Sequence, residues 1–304
     1  MVVPAATIEP GIYLVHKAVG GTSFDVVRGF TREAREAGLK KYPLGHGGTL
    51  DPFAKGLLLI LAGQATRLME LMHPIPKTYV ADIAWGIETD TCDQMGQVVA
   101  EGNAASLSPA LLDEALAGFL GWQDQVPPAT SAKKIDGEAA YRKAHRGEEV
   151  VLPPSKVYLH EAKWLGHDLP GHSRLELTCR GGYYVRAFAR DLGRQLKCGA
   201  HLSGLHRTRI GPWNDPVPGS RDWVHGADLV PWCPFRRLND EEAEHLAHGR
   251  AISMGDLEAP TWQLPKDFPD PAAPIRAMHE GRLVALLKEQ EGALRTFANL
   301  RGGI

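Results

Sequence analysis

A chain of 304 residues with 43% hydrophobic and 23% charged residues has the composition of a globular protein, large enough for one large domain and one small one. No apolar stretch reaches the roughly 20 residues of a membrane-spanning helix, and residues 1–10 contain no Lys or Arg, so neither a membrane anchor nor a signal peptide is expected. The four cysteines form no CxxC pair and match no zinc spacing, which favours reduced, buried thiols in a cytoplasmic protein.

Charge is unevenly distributed along the chain. The net charge of −2 argues mildly against a polyanionic partner, yet residues 125–210 contain 15 Lys and Arg against 8 Asp and Glu. A local excess of this kind can form a phosphate-contacting face on a nearly neutral protein. Chance clustering on solvated helices explains the same count equally well.

The first predicted elements are a strand over residues 11–15 and a helix that Thr22 or Ser23 caps and Gly38 ends. Residues 40–53 show no periodicity. The continuous apolar run at residues 57–61 predicts a buried strand, and the alternation over residues 77–85 predicts a half-buried one.

The middle of the chain alternates helices and strands. Ser108 and Pro109 begin a helix that Gly121 ends, and a short basic helix over residues 138–146 stops at Gly147. Strands follow over residues 156–165 and 174–179, then a helix over residues 185–197 that Gly199 ends. Because strands and helices mix without βαβ regularity, the pattern predicts an α+β protein.

The last third of the chain predicts a separate small domain. Residues 211–234 are rich in proline and tryptophan and have no period; a helix over residues 240–248 and a strand pair over residues 282–287 and 294–297 come after them. We therefore expect a large domain at residues 1–212, a linker at residues 213–233 and a small C-terminal domain at residues 234–304.

Asp51 lies in the most informative segment. Gly47 and Gly48 allow backbone bends that other residues resist, and Pro52 disfavours a helical conformation at Asp51. Such a segment would present the carboxylate rather than absorb it into a helix surface. On these residues alone, an Asx turn in an ordinary loop is the alternative.

Residues 46–58, HGGTLDPFAKGLL, resemble the active-site segment of the TruB family of tRNA pseudouridine synthases, in which the aspartate of G-[TA]-L-D-P-x-A-[TS]-G is the nucleophile. Further stretches resemble family motifs in the same order. They are KAVG at residues 17–20, KTY at residues 77–79, the turn over residues 86–96, a proline-led basic insertion over residues 127–147, residues 179–193 and GAHL with the leucine that follows at residues 199–205. The resemblance covers about residues 11–210.

The resemblance implies the pseudouridine synthase fold: a mixed, largely antiparallel sheet with a central cleft, followed by a small, β-rich, PUA-like C-terminal domain. It implies an isomerase that flips out the T-loop uridine at position 55 of tRNA and converts it to pseudouridine. The reaction involves no redox change and no external group, so we expect no cofactor and no metal. The expected partner is tRNA, with no membrane, no obligatory protein partner and a monomeric state.

The resemblance also implies roles for the catalytic residues. Asp51 would be the nucleophile. Arg186 would lie beside it and favour its charged form, and Tyr79 would stack on the target uracil, an interaction worth about 1–3 kcal/mol. Without the motifs, Arg186 would be interpreted as a solvated residue near the start of a helix, and Tyr79 as an ordinary strand aromatic.

The remaining site residues are expected to bind the substrate. His46 would fill the space left by the flipped base, Leu205 would line the uracil pocket, Lys17 would lie nearby, and Tyr184 matches the family tyrosine. The basic insertion, about residues 125–155, would clamp the RNA backbone through Lys133, Lys134, Arg142, Lys143 and Arg146. A solvated helix face is the alternative for each of these basic residues taken singly.

Some positions depart from the family pattern. Ala18 replaces a proline, Lys55 replaces Thr or Ser, and Tyr183 stands where Thr is usual, which makes Tyr184 the better match. The C-terminal segment from residue 234 has 9 Lys and Arg against 11 Asp and Glu, which gives no electrostatic support for RNA binding there. Two alternative functions stay open: a guide-RNA-dependent pseudouridine synthase subunit, and a tRNA-binding or tRNA-folding protein without catalysis.

Overall fold

The computed structural model describes residues 8–304 apart from residues 132, 136, 137, 147 and 149. Contacts divide the chain into two compact units. The first consists of Met1–Pro52, Gly56–Ile75 and Ile210–Ile304, and the second of Phe53–Lys55 and Pro76–Arg209. The domain boundaries expected from the sequence stay a prediction.

Strands and helices alternate irregularly along the chain. The strands are β1 Gly11–Lys17, β2 Leu44–His46, β3 Lys55–Ala62, β4 Lys77–Trp85, β5 Ile87–Thr89, β6 Val98–Glu101, β7 Gly121–Gln125, β8 Lys134–Ile135, β9 Glu138–Ala139, β10 Ser155–Asp168, β11 His172–Cys179, β12 Ala200–Ile210, β13 Trp213–Asn214, β14 Arg221–Val224, β15 Phe235–Arg237, β16 Ile252–Ser253, β17 Ile275–His279, β18 Arg282–Gln290 and β19 Ala293–Asn299. The helices are α1 Ser23–Glu36, α2 Met69–Met72, α3 Pro109–Ala117, α4 Ala140–His145, α5 Val185–Gln195 and α6 Asp240–Ala247, with 3₁₀ turns at Gly63–Leu68 and Gly226–Asp228.

In the first unit, β1 pairs antiparallel with β3 and with β14, and β2 pairs antiparallel with β3. Both faces of β3 are buried. Leu57 and Leu59 belong to one apolar cluster, whereas Leu58 and Ile60 pack in a second cluster with Phe30 of α1. A strand covered on both sides needs apolar residues at every position, which explains the continuous run that predicted it.

The C-terminal part of the first unit forms its own sheet in the order β15-β17-β18-β19-β16. The pair β15 and β17 is parallel and the other pairs are antiparallel, so this sheet is mixed. The predicted helix at residues 240–248 and the last strand pair are confirmed. Glu291 and Gly292, both with positive φ, make the two-residue turn between β18 and β19.

The stretch expected to be a linker is packed into the first unit. It contains β14, and Leu229, Val230 and Trp232 are buried in the same apolar cluster as Leu57. Its prolines and tryptophans therefore mark an irregular but well-packed connection.

The second unit is built on an antiparallel sheet in which β4, β11, β10 and β7 follow one another. Ser203 Oγ donates to the carbonyl of Asp82, and Thr208 Oγ1 donates to the carbonyl of Thr78, so β12 runs antiparallel alongside β4. Helix α5 covers this sheet with a buried face, and its Phe188 meets Phe119 edge-on with ring centroids 5.1 Å apart.

Two predicted element boundaries were wrong. Glu138 and Ala139 pair with Lys134 and Ile135, so the insertion helix α4 starts at Ala140; Gly147, expected to end it, lies outside the described residues. Helix α3 ends at Ala117 with Gly118 as its C-cap, because Gly121, with φ of +86°, begins β7 instead.

The structure also bears on two expectations drawn from composition, the state of the cysteines and the membrane-spanning helices. Cys92, Cys179, Cys198 and Cys233 are free and buried, as expected. Among the described residues, no helix combines the length and the apolar character that crossing a membrane requires.

Candidate active site

The predicted site residues fall into two groups. The first unit carries His46, Asp51 and Lys17. The second unit carries the remaining members of the set, namely Tyr79, Arg186, Tyr184, Leu205, Lys133, Lys134, Arg142 and Lys143. Within each unit, a different set of contacts fixes these side chains.

Asp51 lies on the loop that joins β2 to β3, and this loop is fastened on both sides of the carboxylate. On one side, Leu50 N donates to Ser23 Oγ over 2.8 Å, and Ser23 Oγ donates to the Leu50 carbonyl over 3.1 Å. On the other side, Gly20 N donates to the Pro52 carbonyl over 2.8 Å. The partially exposed Asp51 is therefore held between two backbone anchors.

The start of α1 supplies the Ser23 anchor, and its own geometry is fixed locally. Thr22 is the N-cap: its side chain accepts from Asp25 N, and the Asp25 carboxylate accepts from Thr22 N. This capping box stabilises the first turn, which begins with Ser23. The buried Ser23 hydroxyl thus reaches the Asp51 loop from a rigid helix end.

The two glycines before Asp51 meet separate requirements. Gly48 adopts φ of +133°, a conformation that side chains with a Cβ rarely take. A Cβ at Gly47 would lie 3.2 Å from Leu59 Cβ and 3.2 Å from Met72 Cγ. Gly47 N also donates to the Leu59 carbonyl over 2.9 Å, so the loop runs close along β3.

Lys17 lies at the end of β1 and is only 2% exposed. Its ammonium donates to the carbonyls of Ala18 and Gly21, over 3.0 and 2.8 Å. These bonds shape the turn from which Gly20 binds Pro52, so Lys17 stabilises the backbone on which Asp51 depends. His46 ends β2 and is half-buried; its role with the flipped base stays a prediction.

In the second unit, the sheet brings Tyr79 and Leu205 close. Tyr79 is 8% exposed on β4, opposite Leu177 of β11. The pairing of Ser203 with Asp82 and of Thr208 with Thr78 places the buried Leu205 beside the stretch of β4 that contains Tyr79.

Arg186 lies in the first turn of α5 and is only 5% exposed, so it is not a solvated helix residue. Its Nη1 donates to the Thr91 carbonyl over 2.9 Å and to Thr130 Oγ1 over 2.8 Å. Asp93 Oδ2 lies 3.4 Å from the same nitrogen, and the side chains of this ion pair are almost fully buried. The guanidinium is therefore held in one orientation.

Asp93 is a site residue that the sequence did not single out. Its Oδ1 accepts from Thr91 Oγ1 over 2.7 Å and from Met95 N over 2.9 Å, which directs Oδ2 to Arg186. The sequence signal was the Thr-Asp-Thr-x-Asp-x-x-Gly spacing over residues 89–96. That spacing marks a turn, but it does not show which side chain the turn faces.

Arg186 is the first of three arginines on one face of α5. Arg190 Nη2 donates to the Val126 carbonyl over 2.8 Å, and Arg194 Nε donates to Glu88 Oε2 over 2.9 Å. Residues four apart line one side of a helix. This arginine stripe fastens α5 to the turn that carries Asp93 and to Val126, near the start of the insertion.

Tyr184 is fixed through its backbone. Gln125 Nε2 donates to the Tyr184 carbonyl over 3.1 Å, and Tyr184 N donates to Gln125 Oε1 over 2.9 Å. Tyr183 is buried, and that burial raises the pKa of its hydroxyl well above the usual value. The side chain of Tyr184 is more exposed than that of Tyr183, which is consistent with Tyr184 as the residue available to a ligand.

The basic residues of the insertion differ in their surroundings. The Lys133 ammonium donates to Ser155 Oγ, and Arg146 pairs with Glu138 and Glu148, each with a closest N–O distance of 2.6 Å. Arg142 is exposed and Lys143 is half-exposed. The side chain of Lys134 lies outside the part of the chain that is described.

Another charged residue of the second unit, Lys77, is buried beside Tyr79 at the start of β4. Burial, with the nearby charge of Arg207, lowers the pKa of Lys77 to about 7. Opposite it on β11, burial raises the pKa of the Cys179 thiol to about 12. Taken alone, neither unit gathers three His, Cys, Asp or Glu side chains into a metal-binding group among its described residues.

Solved structures share this fold. One match is a structure of an H/ACA RNP bound to a substrate RNA containing 2′-deoxyuridine. The alignment covers 95% of this chain and 84% of the matched chain, with a TM-score of 0.63 at 18% identity. The alignment with the structure of an archaeal box H/ACA sRNP Nop10–Cbf5 complex covers 97% of this chain and 88% of the matched chain, with a TM-score of 0.60 at 20% identity. The fold is that of the pseudouridine synthases.

Sequence comparison is more specific. The family described as TruB family pseudouridylate synthase (N terminal domain) matches residues 35–185. The tRNA pseudouridine synthase B of Thermobifida fusca (strain YX) is 34% identical over 298 residues, covering 93% of this chain and 96% of that protein. That of Leifsonia xyli subsp. xyli (strain CTCB07) is 34% identical over 306 residues, covering 96% and 97%. The chain belongs to the TruB family of pseudouridylate synthases.

Proposed function

We propose that this chain converts the T-loop uridine at position 55 of tRNA to pseudouridine, with Asp51 as the nucleophile. Membership of the TruB family makes the chain an isomerase, and its close relatives are named for action on tRNA. The observation that supports Asp51 is its place in the HGGTLDP segment, on a loop anchored through both neighbouring residues.

The proposed chemistry rearranges bonds within one nucleotide. The N1–C1′ bond breaks, the uracil turns, and a C5–C1′ bond forms; C5 loses its proton and N1 gains one. The Asp51 carboxylate holds one half of the substrate covalently while the other half turns, and it leaves when the new bond forms. A loop that keeps the carboxylate in place avoids reorganisation during these steps.

The other residues position the nucleotide and the nucleophile in this proposal. Tyr79 stacks on the extruded uracil and Leu205 lines its pocket, which accords with their neighbouring places on β4 and β12. Arg186, whose guanidinium Asp93 orients, favours the charged form of the Asp51 carboxylate in this proposal. His46 fills the gap left by the base and so offsets part of the flipping cost.

The RNA backbone is bound by the second unit in this proposal. Lys133, Lys134, Arg142 and Lys143, with Tyr184 and the positive excess over residues 125–210, supply the contacts to phosphate. We further propose that the chain works as a monomer in the cytoplasm without an obligatory protein partner. Size measurement of the purified chain, alone and with tRNA, tests the monomeric state.

The test uses the purified chain and a T-stem-loop transcript that carries tritium at uridine C5, because forming the C5–C1′ bond releases that tritium. Wild type should release it and Asp51→Asn should not, although Asp51→Asn should still bind the transcript. Asp113→Asn, a change of an exposed carboxylate on α3, is the matched control and should keep wild-type turnover. Undiminished release by Asp51→Asn would remove Asp51 from the mechanism.

The same assay separates the two alternatives. A guide-RNA-dependent subunit would leave the bare stem-loop unchanged until a guide and partner proteins were added. A tRNA-binding protein without catalysis would bind the transcript and release no tritium under either condition.

A further inference from the structure

Strand β7 forms the edge of the second unit's sheet and carries an exposed tryptophan. Alternate residues of β7 face opposite sides. Gln123 and Gln125 point to the side of Tyr183 and Tyr184, whereas Trp122 points to the other side and is 50% exposed.

Trp122 is part of an ordered cluster. It lies opposite Tyr158 of β10, with ring centroids 5.2 Å apart and planes tilted by 54°. The Arg180 guanidinium lies 6.0 Å from the Trp122 ring centroid, and Arg180 N donates to the Tyr158 carbonyl over 3.0 Å. Trp122, Tyr158 and Arg180 together make up a surface that we name the Trp122 platform.

The surroundings of the Trp122 platform favour a ligand over simple packing. Leu120 and Val126, on either side of β7, are also exposed, and the exposed Asp124 lies between Trp122 and Val126 on the same face, opposite Lys156. Exposed apolar surface rimmed by polar groups is typical of interaction sites. An aromatic face beside a guanidinium and the exposed Lys156 suits a partner that has both a π-face and negative charge, as a nucleotide does.

The platform is also continuous with the elements proposed to bind RNA. The basic insertion leaves the sheet at the end of β7 and returns at the start of β10, and Lys133 of the insertion bonds Ser155 there. Arg180 begins the loop that leads to Tyr184 and Arg186. Because β7 is the edge strand and Trp122 faces away from Tyr184, a nucleic acid held by the insertion reaches Trp122 by passing around this edge.

We infer that the Trp122 platform binds an unpaired nucleotide of the substrate RNA other than the target uridine. Its base stacks on Trp122, and its phosphates lie toward Arg180 and Lys156. This inference rests on the proposed function and adds a second base-binding position to it. Because the contact is made before and during the reaction alike, it contributes to KM rather than to kcat.

The test compares Trp122→Ala and Trp122→Phe on a full-length tRNA transcript. Loss of one stacked base should raise KM by about five- to tenfold in Trp122→Ala, with kcat within about twofold of wild type. Trp122→Phe keeps an aromatic face and should restore most of the affinity. Arg180→Gln should make the plot of log affinity against log salt less steep, by the contribution of about one phosphate contact.

Controls keep a folding defect from imitating this result. Trp223→Ala removes another exposed tryptophan, on β14 of the first unit, and should leave KM unchanged. Circular dichroism and thermal unfolding of each variant check that the sheet is intact. An unchanged KM in a folded Trp122→Ala protein would overturn the inference.

Two further measurements distinguish other occupants and other failures. If Trp122→Ala changes the oligomeric state of the free chain, the edge strand binds a second copy of the chain, and the inference is wrong. If wild type proves inactive on tRNA, the proposed function fails, and fluorescence-detected binding of the same transcript still decides the platform. Weaker tRNA binding by Trp122→Ala would then support it, and equal binding would overturn it.

Discussion

The Asp51 loop and the basic insertion are both expected from the sequence to act on RNA, yet the protein holds them by different means. The Asp51 loop is fastened by hydrogen bonds between uncharged groups: the Ser23 hydroxyl bonds the backbone of Leu50, and Gly20 N donates to the Pro52 carbonyl. The insertion carries charged side chains, some of which, such as Arg146, are paired with carboxylates of the insertion itself.

The difference follows from what each region has to do. A nucleophile must be placed within a fraction of an ångström, and neutral backbone anchors give that placement without altering its charge. Phosphate contacts act through long-range attraction and tolerate movement of a lysine or arginine. Changes in the loop backbone should therefore reduce kcat, and changes of charge in the insertion should raise KM.

Among changes that leave Asp51 itself in place, the largest expected effect comes from Gly48→Ala. At φ of +133° a Cβ is strained, so the loop should shift and move Asp51. A displacement of about 1 Å can lower the rate by about 100-fold, and we expect a loss of that size in kcat with little change in KM. Gly38→Ala, at φ of +80° after α1, is the matched control: it strains the backbone without touching the loop. Equal kcat in both variants would show that the loop tolerates movement.

A smaller loss of kcat is expected from disturbing Asp93, which holds the Arg186 guanidinium in one orientation. Asp93→Asn keeps the shape of the side chain but removes the charge that faces Arg186, so the guanidinium should lose its orientation. We expect kcat to fall by an amount on the order of tenfold, measured under single-turnover conditions. Asp191→Asn removes a more exposed carboxylate that pairs with Arg190 on the same helix and should have almost no effect. A kcat near wild type in Asp93→Asn would place Arg186 outside the reaction.

Changes of charge in the insertion should alter KM and leave kcat nearly unchanged. Arg142→Ala with Lys143→Ala removes the exposed cation of Arg142 and the half-exposed cation of Lys143, so KM for tRNA should rise by about fivefold. The plot of log affinity against log salt should become less steep by the contribution of about two phosphate contacts. Arg146→Ala removes a cation already paired with Glu138 and Glu148 and should change KM less. If Arg146→Ala has the larger effect, Arg146, rather than Arg142 and Lys143, contacts the RNA.

Part of the fold follows from the sequence because the pattern is local. The apolar run of β3, the alternation of β4 and the capped helix α1 were predicted near their observed bounds. Strand β12 was not predicted. Its alternation is interrupted at Gly204, and it carries the fully buried Arg207, a residue type that is rarely interior. Only the neighbouring strand makes this segment a strand.

In the candidate site, too, local sequence patterns predicted some features and long-range contacts fix the others. Asp51 and Arg186 were predicted because their motifs are contiguous in the sequence. The contacts of Arg186 with Thr130 and Asp93 join segments about 60 and 90 residues away from it, and no local pattern reports such pairings. The ion pairs of Arg146 were missed because a charge count does not show which cations are already neutralised.

The smallest expected effect concerns a cation of the second unit that lies in the interior, the buried Lys77. Its folded pKa of about 7 lies below the ordinary lysine value of about 10.4, so unfolding takes up a proton between these pH values. The free energy of unfolding should therefore rise with pH in this window, by about 1–2 kcal/mol from pH 7 to pH 8.5. In Lys77→Met this contribution is absent, and urea unfolding at the two pH values measures the difference in slope. Lys163→Met, a change of an exposed lysine on β10, should keep the wild-type slope. Equal slopes in wild type and Lys77→Met would mean that Lys77 stays charged in the folded protein. Lys77 would then carry its charge at neutral pH as the cations of the insertion do.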